Sequence, residues 1–149
     1  MHEINEFISP LNLASIGTVF LCGTIIGLER QLRGKPAGIR TSILVCLASY
    51  LFIVIADSYV GDNSPSRVLG QIVSGVGFLG AGIILTKGGL VHGVTSAAII
   101  WVLAGLGALI GTGNNIAAII IAVLVLITLV GVSALERVFK KLTNGTHNQ

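Results

Sequence analysis

The sequence predicts an all-α membrane protein: one bundle of five transmembrane helices, with the N-terminus outside and the C-terminus in the cytoplasm. Three observations carry that prediction. Hydrophobic residues make up 53% of the chain and charged residues only 10%, against about 25% charged in a soluble domain. Apolar runs near the length that crosses a bilayer recur five times between short polar gaps. Eight of the nine basic residues fall in gaps that share one side of such a bundle.

Residues 1–10, MHEINEFISP, set Ile4, Phe7 and Ile8 at helical spacing, which suits a short helix lying in the interface. No lysine or arginine precedes Leu11, so the first apolar run reads as a retained span rather than a signal peptide. Pro10 marks the entry to that span, about residues 11–28. Gly23 and Gly27 form a GxxxG pair there, a face for close helix packing. Residues 29–40, ERQLRGKPAGIR, are the most charged stretch, and Gly34, Pro36 and Gly38 make it a loop. A second span covers about residues 41–57. The gap that follows carries Asp57 and Asp62, and Ser64 or Ser66 is placed to cap the next helix.

The third span, about residues 67–85, is RVLGQIVSGVGFLGAGIIL. Its glycines would weaken a helix in water, but in a bilayer the backbone must bond to itself and the helix persists. Gly70, Ser74, Gly77 and Ala81 share one face, so this is the expected central packing helix. A loop, TKGGLVHGV, leads to a fourth span, about residues 95–111. Thr95 and Ser96 read as its caps, and Gly107 and Gly111 repeat the GxxxG spacing. A tight turn, TGNN, opens the fifth span, about residues 116–135, which is poor in glycine and expected to face lipid. Residues 136–149 form a short polar cytoplasmic tail, expected to be disordered.

Charge sets the orientation. Arg30, Arg33, Lys35, Arg40, Lys87, Arg137, Lys140 and Lys141 fall on one side of a five-span bundle. Arg67 falls on the other, with Glu3, Glu6, Asp57 and Asp62. Basic residues stay in the cytoplasm, so the N-terminus is outside. The net charge of +3 therefore reports topology, and no nucleic-acid partner is expected. The lipid bilayer is the first partner, with other membrane proteins or a second copy of the chain next.

Few residues carry chemistry. Gly75, Gly77 and Gly80 match GxGxxG, but inside an apolar run and without the acidic residue a dinucleotide fold requires downstream. Cys22 and Cys46 lie in apolar segments without metal-ligand spacing. His92 has no ligand-spaced neighbour, and no nucleophile–base set stands out. An enzyme, a cofactor and a metal centre are not expected. The polar candidates are Glu29 and Arg30 at the end of the first span, with Arg33 and Arg40 close by. Arg67 starts the third span against the helix dipole, so Asp57 or Asp62 is its expected partner. Gln71 needs a partner for its amide and should face another helix.

Three stretches, GLERQLRGKPAGIRTSILV, SRVLGQIVSGVGFLGAGIIL and GVTSAAIIWVLAGLGALIGTG, resemble the MgtC/SapB family of bacterial inner-membrane proteins in order and spacing. The resemblance implies a five-span bundle with the N-terminus outside. It also implies that Glu29, Arg30, Arg33, Arg40, Arg67, Gln71 and Thr95 occupy recurrent family positions. The family often has Asp-Pro before the arginine of the third span, where this chain has Ser64-Pro65-Ser66. Many members continue into a cytoplasmic ACT-like domain; this chain resembles the short, SapB-like form. The family's association with magnesium-transport operons implies a part in magnesium-related adaptation, by regulating other membrane proteins through helix–helix contacts. The alternative is a small magnesium or other cation transporter or channel acting as an oligomer. Magnesium usually needs one or two carboxylates besides its waters, and only Glu29, with Asp57 near the outer edge, is placed to supply them.

Overall fold

A computed structural model describes residues 12–58, 64–87 and 90–145. Five helices follow in order: α1 (Leu13–Leu32), α2 (Ile39–Ser58), α3 (Ser64–Ala81), α4 (Val94–Gly111) and α5 (Asn115–Gly145). Between α3 and α4 stands a two-stranded hairpin, β1 (Leu85–Lys87) with β2 (Leu90–His92), antiparallel and pairing Leu85 with His92. The fold is thus an all-α, multi-span bundle carrying one small hairpin. By length and composition α1, α2, α4 and the Asn115–Arg137 part of α5 can cross a membrane. α3 is a further candidate of 18 residues, about 27 Å long at 1.5 Å per residue.

Local chemistry sets the helix ends. Asn12 caps α1, its Oδ1 accepting from the Ala14 N–H at 2.9 Å. The loop between α1 and α2 turns through Gly34 at φ 61° and Ala37 at φ 63°. The Ser42 hydroxyl holds that turn by donating to the Ala37 carbonyl at 3.2 Å. α4 ends at Gly111 with Thr112 as its C-cap, and Gly113 reverses the chain at φ 83°.

The core forms around α2, which lies between α1 and α4. Gly23 and Gly27 open α1 to it: a Cβ on Gly23 would stand 2.8 Å from Ile43 Cα, and one on Gly27 2.6 Å from Ile39 Cα. Gly107 and Gly111 do the same from α4. A Cβ on Gly107 would overlap the Cys46 carbonyl oxygen, and one on Gly111 would lie 2.7 Å from Ile53 Cβ. Lipid tails are as apolar as leucine, so close van der Waals packing of this kind holds a membrane bundle together. Cys22, Cys46, Tyr50, Leu103 and Leu106 fill the space between, and Ala118 and Ala122 of α5 close it.

Several expectations need correction. α3 is not the central helix. It lies at the edge against α2 and α4, burying Ile72 and Gly80. Gly70, Ser74, Gly77 and Ala81 are exposed, and a Cβ on Gly70 or Gly77 would meet nothing within 4 Å. The predicted loop before α4 is partly the hairpin, and α3 ends at Ala81 rather than near Leu85. Thr95 and Ser96 do not cap α4: Gly93 does, at φ 91° and without a side-chain bond, because the chain must turn sharply out of β2. The polar tail does not leave the helix at 135, since α5 continues to Gly145. α5 is largely exposed, as expected of a lipid-facing helix, but it is not more so than α3, which buries only Ile72 and Gly80. The interfacial helix expected over residues 1–10 lies outside the described residues.

Candidate functional site

The polar side chains that an apolar bundle can least accommodate gather at one end. α1 finishes there, α2 and α4 begin there, and the hairpin and the far part of α5 close over it. The end of α1 and its loop, the start of α4, the hairpin and α5 line a half-open cavity of about 670 Å³. Glu29 and Arg30 from α1, Arg33 and Lys35 from the following loop, Ser96 from α4 and Ser133 from α5 supply its polar wall.

Glu29 and Arg30 are 8% and 4% exposed, burial that charged side chains almost never reach without partners. Their network is local and long-range at once. Glu29 Oε1 lies 2.7 Å from Arg33 Nε, four residues on, and Glu29 Oε2 lies 3.8 Å from Arg30 Nη1. Arg30 Nη2 donates to Ser96 Oγ of α4 at 2.5 Å. Arg33 Nη1 donates to Ser133 Oγ of α5. Arg30 in the last turn of α1 and Arg33 at its C-cap thereby tie the end of α1 to α4 and to α5. Arg33 also caps α1, where a cation complements the helix dipole.

The network is incomplete. Neither Glu29 oxygen accepts a well-directed hydrogen bond, and Arg30 Nε donates none, although all three atoms are buried. The 2.7 Å approach of Arg33 to Glu29 is an ion pair, not an aligned hydrogen bond. Such unsatisfied groups are costly, and all three are sealed among the side chains that back the cavity wall. The α4 N-terminus points into the same space with no side-chain cap. Among the described residues no group of three or more His, Cys, Asp or Glu could hold a metal ion.

Four of the sequence candidates, Glu29, Arg30, Arg33 and Thr95, line this cavity. Arg40 is exposed in the first turn of α2 at the same end, outside the lining. Arg67 is exposed near the start of α3, at the opposite end. Among the described residues no ion pair joins it to Asp57, and Asp62 lies outside them. Gln71 is exposed on a separate apolar groove of about 500 Å³ between α2 and α3, with Leu44, Ala48, Phe52, Gly75 and Leu79. Ser133 and Glu136 were not expected in the site. Ser133, one of two hydroxyls with Thr128 in an isoleucine- and valine-rich run, was the available signal.

The comparisons fit this architecture. The model of the MgtC family matches residues 16–138. The chain belongs to the MgtC family. Protein MgtC of Brucella abortus is 48% identical over 100 residues, covering 67% of this chain and 42% of that protein. Protein MgtC of Salmonella typhimurium is 46% identical over 104 residues, covering 68% and 45%. YhiD of Escherichia coli K12, provisionally named a magnesium transporter, is 47% identical over 116 residues, covering 72% and 52%. The chain spans about half the length of the curated relatives it matches. No solved structure matches it. As an MgtC family member it is a multi-pass helical protein of the bacterial inner membrane.

Proposed function

We propose that this protein regulates other membrane proteins during magnesium-related adaptation, by receiving a transmembrane helix of a partner on the outer face of α3. The observation that carries this reading is the exposure of Gly70, Ser74, Gly77 and Ala81 on one helix face, beside an apolar groove with a single amide, Gln71. Small residues let two backbones approach closely, and an amide in hydrocarbon gains from a partner across the contact. In this reading α3 is the fifth crossing helix. The N-terminus is then outside and the cavity end in the cytoplasm, where Arg30, Arg33, Lys35, Arg40 and Arg137 satisfy the bias of basic residues. The magnesium link rests on the family and on the name given to YhiD.

A cation pathway is the weaker reading. Glu29 is the one buried carboxylate among the described residues, and Arg30 and Arg33 already face it. A photo-crosslinking amino acid at Gly77, in cells short of magnesium, tests the proposal. Capture of a distinct membrane protein is expected. Capture of lipid alone would remove the docking role of α3, and capture of a second copy would replace the partner with self-assembly. Magnesium flux through liposomes holding this protein alone, abolished by Glu29→Gln, would establish the pathway instead.

A further inference from the structure

We propose that the last turns of α5 dock on anionic phospholipid headgroups of the leaflet through which they emerge. The inference goes beyond the docking reading of α3 and needs only that α5 crosses the bilayer. Length places those turns. α5 is a single helix of 31 residues, Asn115–Gly145, and its membrane-crossing part ends at Arg137. At 1.5 Å per residue, Asn115 to Leu135 rises about 30 Å, the thickness of the hydrocarbon core. Glu136 to Gly145 adds about 15 Å, so the helix continues unbroken through a headgroup layer about 5–7 Å deep.

Composition changes at that depth. Arg137, Lys140 and Lys141 follow at i, i+3 and i+4, which puts them on one side of the helix. Leu135 and Phe139 are on the other, 57% and 60% exposed, and continue the exposed apolar surface of Ile116, Ile120, Leu124 and Ile127. Glu136 is the single acid from there to Gly145, and it lines the cavity. Arg137 is exposed, its Nε donating back to the Ser133 carbonyl at 3.3 Å. That bond turns the guanidinium toward the membrane-crossing turns, and among the described residues no carboxylate pairs with it. Lys35 and Arg40 are exposed at the same end of the bundle, while Glu29, the other acid there, is buried against Arg33. Cations held at phosphate depth, on a helix whose reverse side lies in acyl chains, fit a phospholipid of net negative charge. Each basic residue near an anionic leaflet is worth a roughly fivefold gain. An acidic protein segment would meet the charges but leave Leu135 and Phe139 unused.

The test is fluorescence quenching by brominated lipids in vesicles of phosphatidylcholine and phosphatidylglycerol holding the full chain. Trp101 is the only tryptophan and is exposed on α4. Trp101→Phe with Leu135→Trp moves the reporter to the hydrocarbon edge, beside the basic turns. One lipid is brominated at a time. At position 135 phosphatidylglycerol should be enriched about fivefold over its bulk share; at position 101 of the unaltered chain it should not. Arg137→Gln, Lys140→Gln and Lys141→Gln together should bring the preference at position 135 to unity, as should high salt. Trp101 in a chain carrying the three glutamines, still quenched by both lipids, shows that this variant spans the bilayer. Arg67→Gln, at the other end of the bundle, should change nothing. Equal quenching by the two lipids at position 135, a preference that survives the three substitutions, or an equal preference at position 101 would overturn the proposal. So would polyglutamate that shields position 135 from both lipids, which would assign the surface to an acidic protein.

Discussion

Gly107 and Gly77 carry the same absent side chain to opposite ends. At Gly107 the α2 backbone occupies the space where a Cβ would go, with Ser49 Cβ only 2.9 Å away; at Gly77 that space is open. Gly107→Val should therefore cost at least the roughly 1–3 kcal/mol of an overpacked core, while Gly77→Ala should leave stability unchanged. Denaturant titration of both variants in detergent checks the contrast. If both lose stability, Gly77 packs against something in the isolated protein. Glu29 is the other residue whose loss has a clear consequence. Glu29→Ala leaves Arg30 buried without its anion, and breaking a buried pair costs about 3–5 kcal/mol. Ser96→Ala and Ser133→Ala each remove one hydrogen bond to a guanidinium and should cost less, about 1.5–3 kcal/mol, with Ser96, the more buried, at the upper end. The same titration ranks the three, and a Glu29→Ala variant as stable as Ser133→Ala would remove the carboxylate from the centre of the network.

At the scale of the element, the sequence was informative about helices and less so about neighbours. The runs around Val19, Tyr50 and Leu103 announced spans, because only hydrocarbon tolerates them. The glycine pairs in α1 and α4 also marked contact faces, since both lie against α2. The same reasoning misplaced α3, for a physical reason. A face of small residues records that something can approach closely, not whether the neighbour belongs to the same chain. The hairpin was hidden too, because three paired residues per strand leave no periodic pattern. Nor could spacing reveal that Arg30 reaches Ser96, 66 positions away, or that α5 stays helical long enough to bring Glu136 to the cavity. Packing does make a prediction for these elements. α3 touches two helices along its inner edge and buries few side chains, whereas α2 is enclosed by α1, α3 and α4. Backbone amides of α3 should exchange with deuterium faster than those of α2 in detergent. Equal protection would mean that α3 is held more firmly than its contacts imply.

For the whole molecule, the five helices run alternately up and down. Ser15 of α1 donates to Asn115 of α5 at 3.2 Å at one end, while Arg33 and Ser133 meet at the other. This arrangement sets the cationic cluster, the hairpin and the far part of α5 together, away from Arg67 and the turn at Thr112. It gives the bundle two distinct features: a charged cavity at one end and an open small-residue surface along α3. The measurement that bears most directly on it is thiol labelling of intact cells with a membrane-impermeant reagent. Single cysteines are introduced by Lys35→Cys, Arg137→Cys, Ser58→Cys and Thr112→Cys, with the buried Cys22 and Cys46 as unreactive background. Ser58→Cys and Thr112→Cys should label from outside, and Lys35→Cys and Arg137→Cys only after the membrane is opened. Labelling of positions 35 and 137 from opposite sides of the membrane would contradict the five-helix arrangement.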